Sequence, residues 1–151
     1  MARAVLALVT AALAILPARA ACSANQKTPG FYTALVARYG KPVSCRAEGG
    51  NLTYTFRHGV KLISRTEVSA EISEQKVEMV RMDTASALTL MKRAEMDAYK
   101  PKGCGISWTS GEEDTSGGAH EMVYRGDTCN CQGRLTYQGR YVVSLVLRSA
   151  C

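Results

Sequence analysis

The sequence predicts an α+β domain with a mainly antiparallel sheet of about six or seven strands, one long helix over about residues 84–100 and a short N-terminal helix, all held together by disulfides. Three observations predict this fold class. One segment repeats its apolar residues at helical spacing, and the segments on both sides of it alternate apolar and polar residues between turn signals. All six cysteines fall in the part of the chain that remains after a leader is removed.

The long helix is predicted by an apolar stripe with start and stop signals. Asp83 or Thr84 can cap its first turn, while Pro101 and Gly103 favour its end. The charged residues of the segment, Glu95 among them, fall mostly away from the stripe. The stripe consists of residues spaced by three and four, namely Ala87, Leu88, Met91, Ala94 and Ala98.

The short helix is predicted to begin at Pro29, with Thr28 as its cap, and to end at Gly40, by apolar residues at helical spacing. A strand with one buried face follows around Tyr54, and the pair His58-Gly59 predicts a hairpin turn. Beyond the long helix we expect a short strand at 105–109 and a flexible acidic loop at 110–119. The remaining predicted strands are 60–66 with an extension to about 72, 77–80, 121–125, 128–137 and 141–147, and no internal repeat is evident.

The first twenty residues have the pattern of a cleaved secretory signal peptide. Arg3 precedes an apolar run at 4–16, and Ala18-Arg19-Ala20 fits the cleavage motif. The run is shorter than the roughly 20 residues that a membrane span needs. We therefore expect a signal peptide at 1–20, one domain at 21–151, export to the periplasm or beyond the cell, and no transmembrane span. Cys22 is not expected to carry a lipid anchor, because Arg19 occupies the position where a lipobox has leucine.

The cysteines predict three disulfides, since an even number in a small exported chain is typical of a disulfide framework. Proximity in the sequence favours Cys22–Cys45, which leaves the other four to pair among themselves in an order that the sequence leaves open. A thiolate metal site that includes His120 is the alternative, but it lacks the CxxC spacing of structural zinc sites. We therefore expect neither a metal nor a cofactor. The six residues are Cys22, Cys45, Cys104, Cys129, Cys131 and Cys151.

Two groups of charged residues are candidate binding sites. The acidic loop, with Glu112, Glu113 and Asp114, precedes His120, and its carboxylates can enter a cationic groove of a partner. A second group, Arg57, Lys61 and Arg65, is expected opposite the apolar face of the first hairpin, where it can contact anionic lipid or glycan.

The leading functional prediction is an exported, non-enzymatic binding module that recognises another envelope or secreted protein, as an inhibitor, immunity factor or assembly subunit. One alternative is a small periplasmic hydrolase that uses His120 with Glu112, Glu113 or Glu121. The other is binding of anionic lipid or polysaccharide by a basic sheet face. The formal net charge of +6 includes two arginines of the leader, and no run of more than two consecutive basic residues occurs, so nucleic acid is not expected as a partner.

Overall fold

The computed structural model describes residues 30–66, 72–98, 104–127 and 130–150. The predicted signal peptide, Cys22, Cys129 and Cys151 lie outside these residues. Two α-helices, a 3₁₀ turn at Arg57–Gly59 and eight strands make up the described chain. In chain order the helices and strands are α1 (Phe31–Tyr39), β1 (Ser44–Glu48), β2 (Asn51–Thr55), β3 (Lys61–Thr66), β4 (Ile72–Met82), α2 (Thr84–Ala98), β5 (Glu112–Asp114), β6 (His120–Arg125), β7 (Gln132–Gln138) and β8 (Tyr141–Ala150).

All eight strands belong to one antiparallel sheet in the order β1-β2-β3-β4-β8-β7-β6-β5. Each half of the chain contributes a helix followed by a four-strand meander, and β4 and β8 join the two meanders at the centre. The same α-ββββ arrangement therefore occurs twice, although the sequence shows no repeat. A bulge at Met79, which has a positive φ of 61°, interrupts the central pairing between Glu78 and Met82.

The predicted fold class was wrong in both the strand count and the helix. The sheet has eight strands rather than six or seven, and both described helices are short, since α1 has nine residues and α2, over Thr84–Ala98, has fifteen. Strands β1 and β5 escaped prediction because β5 has no apolar residue and β1 has only two, Cys45 and Ala47, which are too few to stand out as an alternation. The expected strand at 105–109 is absent from the described chain, where Ile106 forms only an isolated bridge to Gly126.

The core lies between the two helices and one face of the sheet. Inward positions of the strands alternate with outward ones, so every second residue is available to this core. Helix α1 contributes Phe31 and Leu35, and α2 contributes Met91. The central strands add the fully buried residues Leu62, Val77, Leu135, Val142, Leu145 and Leu147.

Glu95 is buried in this core, which corrects the prediction that it falls away from the buried stripe of α2. Its Oε1 accepts hydrogen bonds from the backbone N–H groups of Cys104 (3.1 Å) and Ile106 (3.2 Å). Its Oε2 accepts a bond of 2.7 Å from Nε1 of Trp108. A carboxylate can be buried when donors surround it, and this one fixes the chain that leaves α2.

The first turn of α1 is capped by side chains from elsewhere in the fold. Gly30, at the N-cap, has no side chain that could cap the helix. Its backbone N–H donates to Oδ2 of Asp97 at 2.7 Å. The N–H of Phe31 donates to Oε1 of Gln75 at 3.0 Å. Strand β4 and helix α2 therefore fix the position of the start of α1, because they satisfy backbone donors that α1 itself leaves open.

A disulfide joins Cys104 to Cys131, as expected from the prediction that the four C-terminal cysteines pair among themselves. Cys45 is also disulfide-bonded, and no cysteine is free in the described part of the chain. The pair Cys22–Cys45 stays a prediction because Cys22 lies outside that part. Neither described helix has the length and hydropathy that a membrane crossing requires.

Candidate functional site

The sheet face opposite α1 and α2 carries outward side chains from all eight strands, and we call it the uncovered face. The register aligns its residues in rows that cross all eight strands. The middle row alternates aliphatic and charged side chains, and Ile63 and Val146 lie near its centre. From β1 to β5 this row is Arg46, Thr53, Ile63, Lys76, Val146, Arg134, Val123 and Glu112.

Cations and carboxylates are nearly equal in number on the uncovered face, and several are paired. Arg134 donates from Nη1 to Oε2 of Glu121 at 2.6 Å, and Thr136 donates to Oε1 of the same carboxylate at 3.0 Å. Nζ of Lys76 lies 2.8 Å from a carboxylate oxygen of Glu78. The face therefore presents alternating signs at fixed positions rather than one uniform charge.

The structure separates the basic residues predicted on the first hairpin. Lys61 and Arg65 lie on the uncovered face of β3, with Ile63 between them, whereas Arg57 lies in the exposed turn before β3. Glu78 and Glu74 stand directly opposite Lys61 and Arg65 on β4. The predicted patch is thus part of a mixed-sign surface.

One hydroxyl on the uncovered face is buried without a hydrogen bond. Ser144 lies on β8 between Thr136 and Glu78 in the register, and its Oγ has no partner among the described residues. Val123 is also buried on this face, at 3% exposure, although it lies outside the core cluster. Neighbouring side chains on the uncovered face therefore shield Ser144 Oγ and Val123 from solvent.

The predicted acidic loop is a hairpin of β5 and β6 in which every described carboxylate has a partner. Glu113 Oε1 lies 3.2 Å from Nε2 of His120, and Glu112 Oε2 lies 3.5 Å from Nε of Arg125. Asp114 Oδ1 accepts hydrogen bonds from the hydroxyl of Ser116 (2.6 Å) and from its backbone N–H (2.9 Å). These two bonds lower the pKa of Asp114. The hairpin therefore supplies a local partner for each of its carboxylates.

His120 belongs to a small cluster on the helix side of the sheet. Its ring stacks on Tyr137 at a centroid distance of 4.8 Å, and the hydroxyl of Tyr137 lies 3.1 Å from Oγ1 of Thr84. Glu121 follows His120 on the same strand and therefore projects to the opposite face. Of the carboxylates predicted to act with His120, the structure brings only Glu113 to it.

A groove of about 440 Å³ separates the outer surfaces of α1 and α2. Its floor contains Ala34 and Leu90, which are both buried, and Arg38 and Arg93 lie at its sides. The alanine content of α2 was visible in the sequence, but the pairing of the two helices that forms the groove was not.

A second cavity, of about 330 Å³, lies at one end of the uncovered face. Apart from Cys131, it is lined by residues that the sequence does not single out, because they come from three strands and a turn. The alignment of these strands, rather than any motif, brings them together. The lining residues are Arg125, Gly126, Asn130, Cys131, Gln132 and Arg148.

The thiolate site considered from the sequence cannot form with Cys104 and Cys131 as they stand, since they share a disulfide. No group of three or more metal-binding side chains occurs within residues 30–66, 72–98, 104–127 and 130–150. Comparison of the chain with family models, curated proteins and solved structures finds no match.

Proposed function

We propose that the protein is an exported binding module that recognises another protein through the uncovered face of its sheet. The observation that carries the proposal is the pattern of that face. Its middle row alternates aliphatic side chains with charges of both signs, and the rows on either side carry further charges of both signs, while the two helices cover only the opposite face.

The size of the uncovered face suits a protein partner. Eight strands about 4.8 Å apart span roughly 34 Å, and rows two residues apart extend along each strand for roughly 15 Å. Once the relief of the side chains is included, such a surface is comparable to the roughly 800 Å² that each partner contributes to a standard protein–protein interface.

The distribution of charge favours a protein over an anionic lipid or polysaccharide. A surface selected for anionic polymers gains from a field of a single sign. Here Glu74 and Glu78 oppose Arg65 and Lys61 on the neighbouring strand. Alternating charges suit a partner with a complementary pattern, because misplaced like charges then penalise the wrong partners.

Export is part of the proposal, and two observations support it. Residues 1–20 have the pattern of a secretory leader. Cys104 and Cys131 form a disulfide and Cys45 is disulfide-bonded as well, which is typical of proteins that mature in an oxidising compartment. Whether the module acts as an inhibitor, an immunity factor or an assembly subunit depends on the identity of its partner.

The test is co-purification of partners with mature protein carrying single changes on each face. Ile63→Glu and Val146→Glu place a carboxylate in the middle row of the uncovered face, where it would be desolvated by a docked protein. Lys92→Gln on the exposed side of α2 changes the net charge by the same amount and is the matched control.

We expect a specific partner to co-purify with wild-type protein and with K92Q, and its recovery to fall at least tenfold with I63E and V146E, a loss of about 1.4 kcal/mol. Circular dichroism checks that all four proteins are folded. Equal recovery with wild type, I63E and V146E would show that the partner binds elsewhere.

A further inference from the structure

We propose that the cavity at the end of the uncovered face is a binding site for an oxyanion, that is, for a carboxylate or a phosphate group. We call it the arginine pocket and define it by Arg125, Gln132, Arg148 and Asn130. The inference does not depend on a protein partner, since a free anion can test it directly.

The register places the two arginines on either side of a carboxamide. Arg125 on β6, Gln132 on β7 and Arg148 on β8 are directly opposite one another, and all three project to the uncovered face. With strands about 4.8 Å apart, the two arginine Cα atoms lie roughly 10 Å from each other. Two long guanidinium side chains at that separation can both reach one group held above Gln132.

The positive charge of the arginine pocket is only weakly neutralised. Arg148 forms no ion pair among the described residues, although Glu74 stands opposite it on β4. Arg125 meets Glu112 at 3.5 Å, and both side chains are about two-thirds exposed, so that pair is weak. Asp127 is a further carboxylate close to Arg125 in the sequence. An incoming oxyanion would therefore find at least one arginine without a competing partner.

The wall of the arginine pocket is fixed by backbone and disulfide contacts. The N–H of Gly126 donates to the carbonyl oxygen of Cys131 at 2.8 Å, and Cys131 is buried and bonded to Cys104. Asn130 adopts a positive φ of 46° next to this point and lines the cavity. A site built on paired strands and a covalent link holds its side chains more precisely than a mobile loop does.

The donor set matches the geometry of an oxyanion. A guanidinium presents a planar pair of N–H donors that fits two oxygens of a carboxylate or a phosphate. The Gln132 and Asn130 side-chain amides can each donate a further N–H to the same group. The expected ligand group is thus a delocalised oxyanion. The relative affinity of the pocket for a phosphate and for a carboxylate decides which of the two it binds.

The experiment is an NMR titration of the mature, oxidised protein with inorganic phosphate and, separately, with glutarate, at constant pH and constant chloride. The signals to follow are the backbone amides of Gly126 and Asn130 and the side-chain amide of Gln132. The variants are Arg148→Gln and Arg125→Gln. Arg46→Gln, on the same face at the opposite edge of the sheet, removes one charge outside the pocket and is the control.

We expect saturable shifts of these signals in the wild type and in R46Q, with an apparent affinity about tenfold lower in R148Q and R125Q, because each loses a charged hydrogen bond to the anion. Tighter binding of phosphate would assign the pocket to phosphorylated ligands, and tighter binding of glutarate to carboxylates. Shifts that do not saturate with either anion, or that change equally in R46Q and R148Q, would overturn the proposal.

Discussion

The two halves of the molecule share one arrangement but stabilise it in different ways. In the N-terminal half, the ring of Tyr32 on α1 packs on the rings of Tyr54 and Phe56, with a centroid distance of 5.0 Å between the two tyrosines. In the C-terminal half, Trp108 packs beside Tyr124 and is held by buried Glu95, next to the Cys104–Cys131 disulfide. The first half thus depends on packing, and the second adds a buried carboxylate and a covalent link.

The difference follows from the lengths of the connections. Four residues separate α1 from β1, whereas thirteen separate α2 from β5. The longer connection has backbone donors that no strand satisfies, and Glu95 accepts two of them. The comparison therefore predicts that replacing buried polar residues lowers the stability of the protein most in the C-terminal half.

The largest effect is expected from Glu95→Ala. The change leaves three buried donors without an acceptor, at about 1–3 kcal/mol each, so the free energy of unfolding should fall by roughly 4 kcal/mol. Urea denaturation of the oxidised protein measures it. Lys92→Ala, three residues earlier on the exposed side of α2, is the control and should change stability by less than about 0.5 kcal/mol. A small effect of E95A would mean that water replaces the carboxylate at this site.

The next effect is expected from replacing Cys104 and Cys131 together by alanine. Their sequence separation is 27, and closing a loop of that size stabilises the folded state by about 3.5 kcal/mol through the unfolded chain. The difference between the denaturation midpoints of the double variant and the wild type gives the value. Unchanged stability would contradict the view that the C-terminal half depends on this link.

Gly133→Ala tests packing in the C-terminal half without changing any charge. An added Cβ would lie 2.6 Å from the ring of Trp108 and 2.9 Å from Cε of Met91. Overpacking of this kind costs about 2 kcal/mol. The matched control is Gly117→Ala in the β5–β6 turn, where no atom lies within 4 Å of the added carbon. Thermal unfolding should separate the two variants, and equal midpoints would show that Trp108 can move aside.

The smallest effect is expected on pH dependence. Hydrogen bonds from the Ser86 backbone N–H and hydroxyl lower the pKa of Asp83, and those from the Ser116 hydroxyl and backbone N–H lower that of Asp114. A pKa lowered by folding stabilises the protein above the ordinary value of 3.8, and this stabilisation is lost as the pH falls through the lowered pKa.

NMR titration of the carboxyl carbons should give midpoints below 3.8 for both groups. Ser116→Ala should raise the midpoint of Asp114 towards that value and leave Asp83 unchanged, since only one of the two loses its hydroxyl donor. A common shift of both midpoints would point to a general electrostatic effect instead.

Part of this fold could be predicted because the signals are local. Asp83 was a predicted cap, and its Oδ1 accepts a bond from the N–H of Ser86 at the start of α2. The glycine of the predicted His58-Gly59 turn lies between β2 and β3 with a positive φ of 75°. Such features depend on a few neighbouring residues, which a sequence displays directly.

The remaining features depend on distant contacts. Glu95 looks solvent-facing in the helix pattern, but a loop about ten residues later supplies its donors. Strand β5 consists of three acidic residues and exists because β6 pairs with it. Arg125 and Arg148 meet only through the register of three strands. None of these pairings leaves a periodic trace in the sequence.

The central claim is that the uncovered face is the surface on which another protein docks. Its most direct test is site-specific photo-crosslinking in living cells, with a photoreactive residue at position 63 or 146 of the uncovered face or at position 92 of α2. We expect a discrete crosslinked product from positions 63 and 146 and none from position 92. Crosslinks that form only from position 92 would contradict the claim.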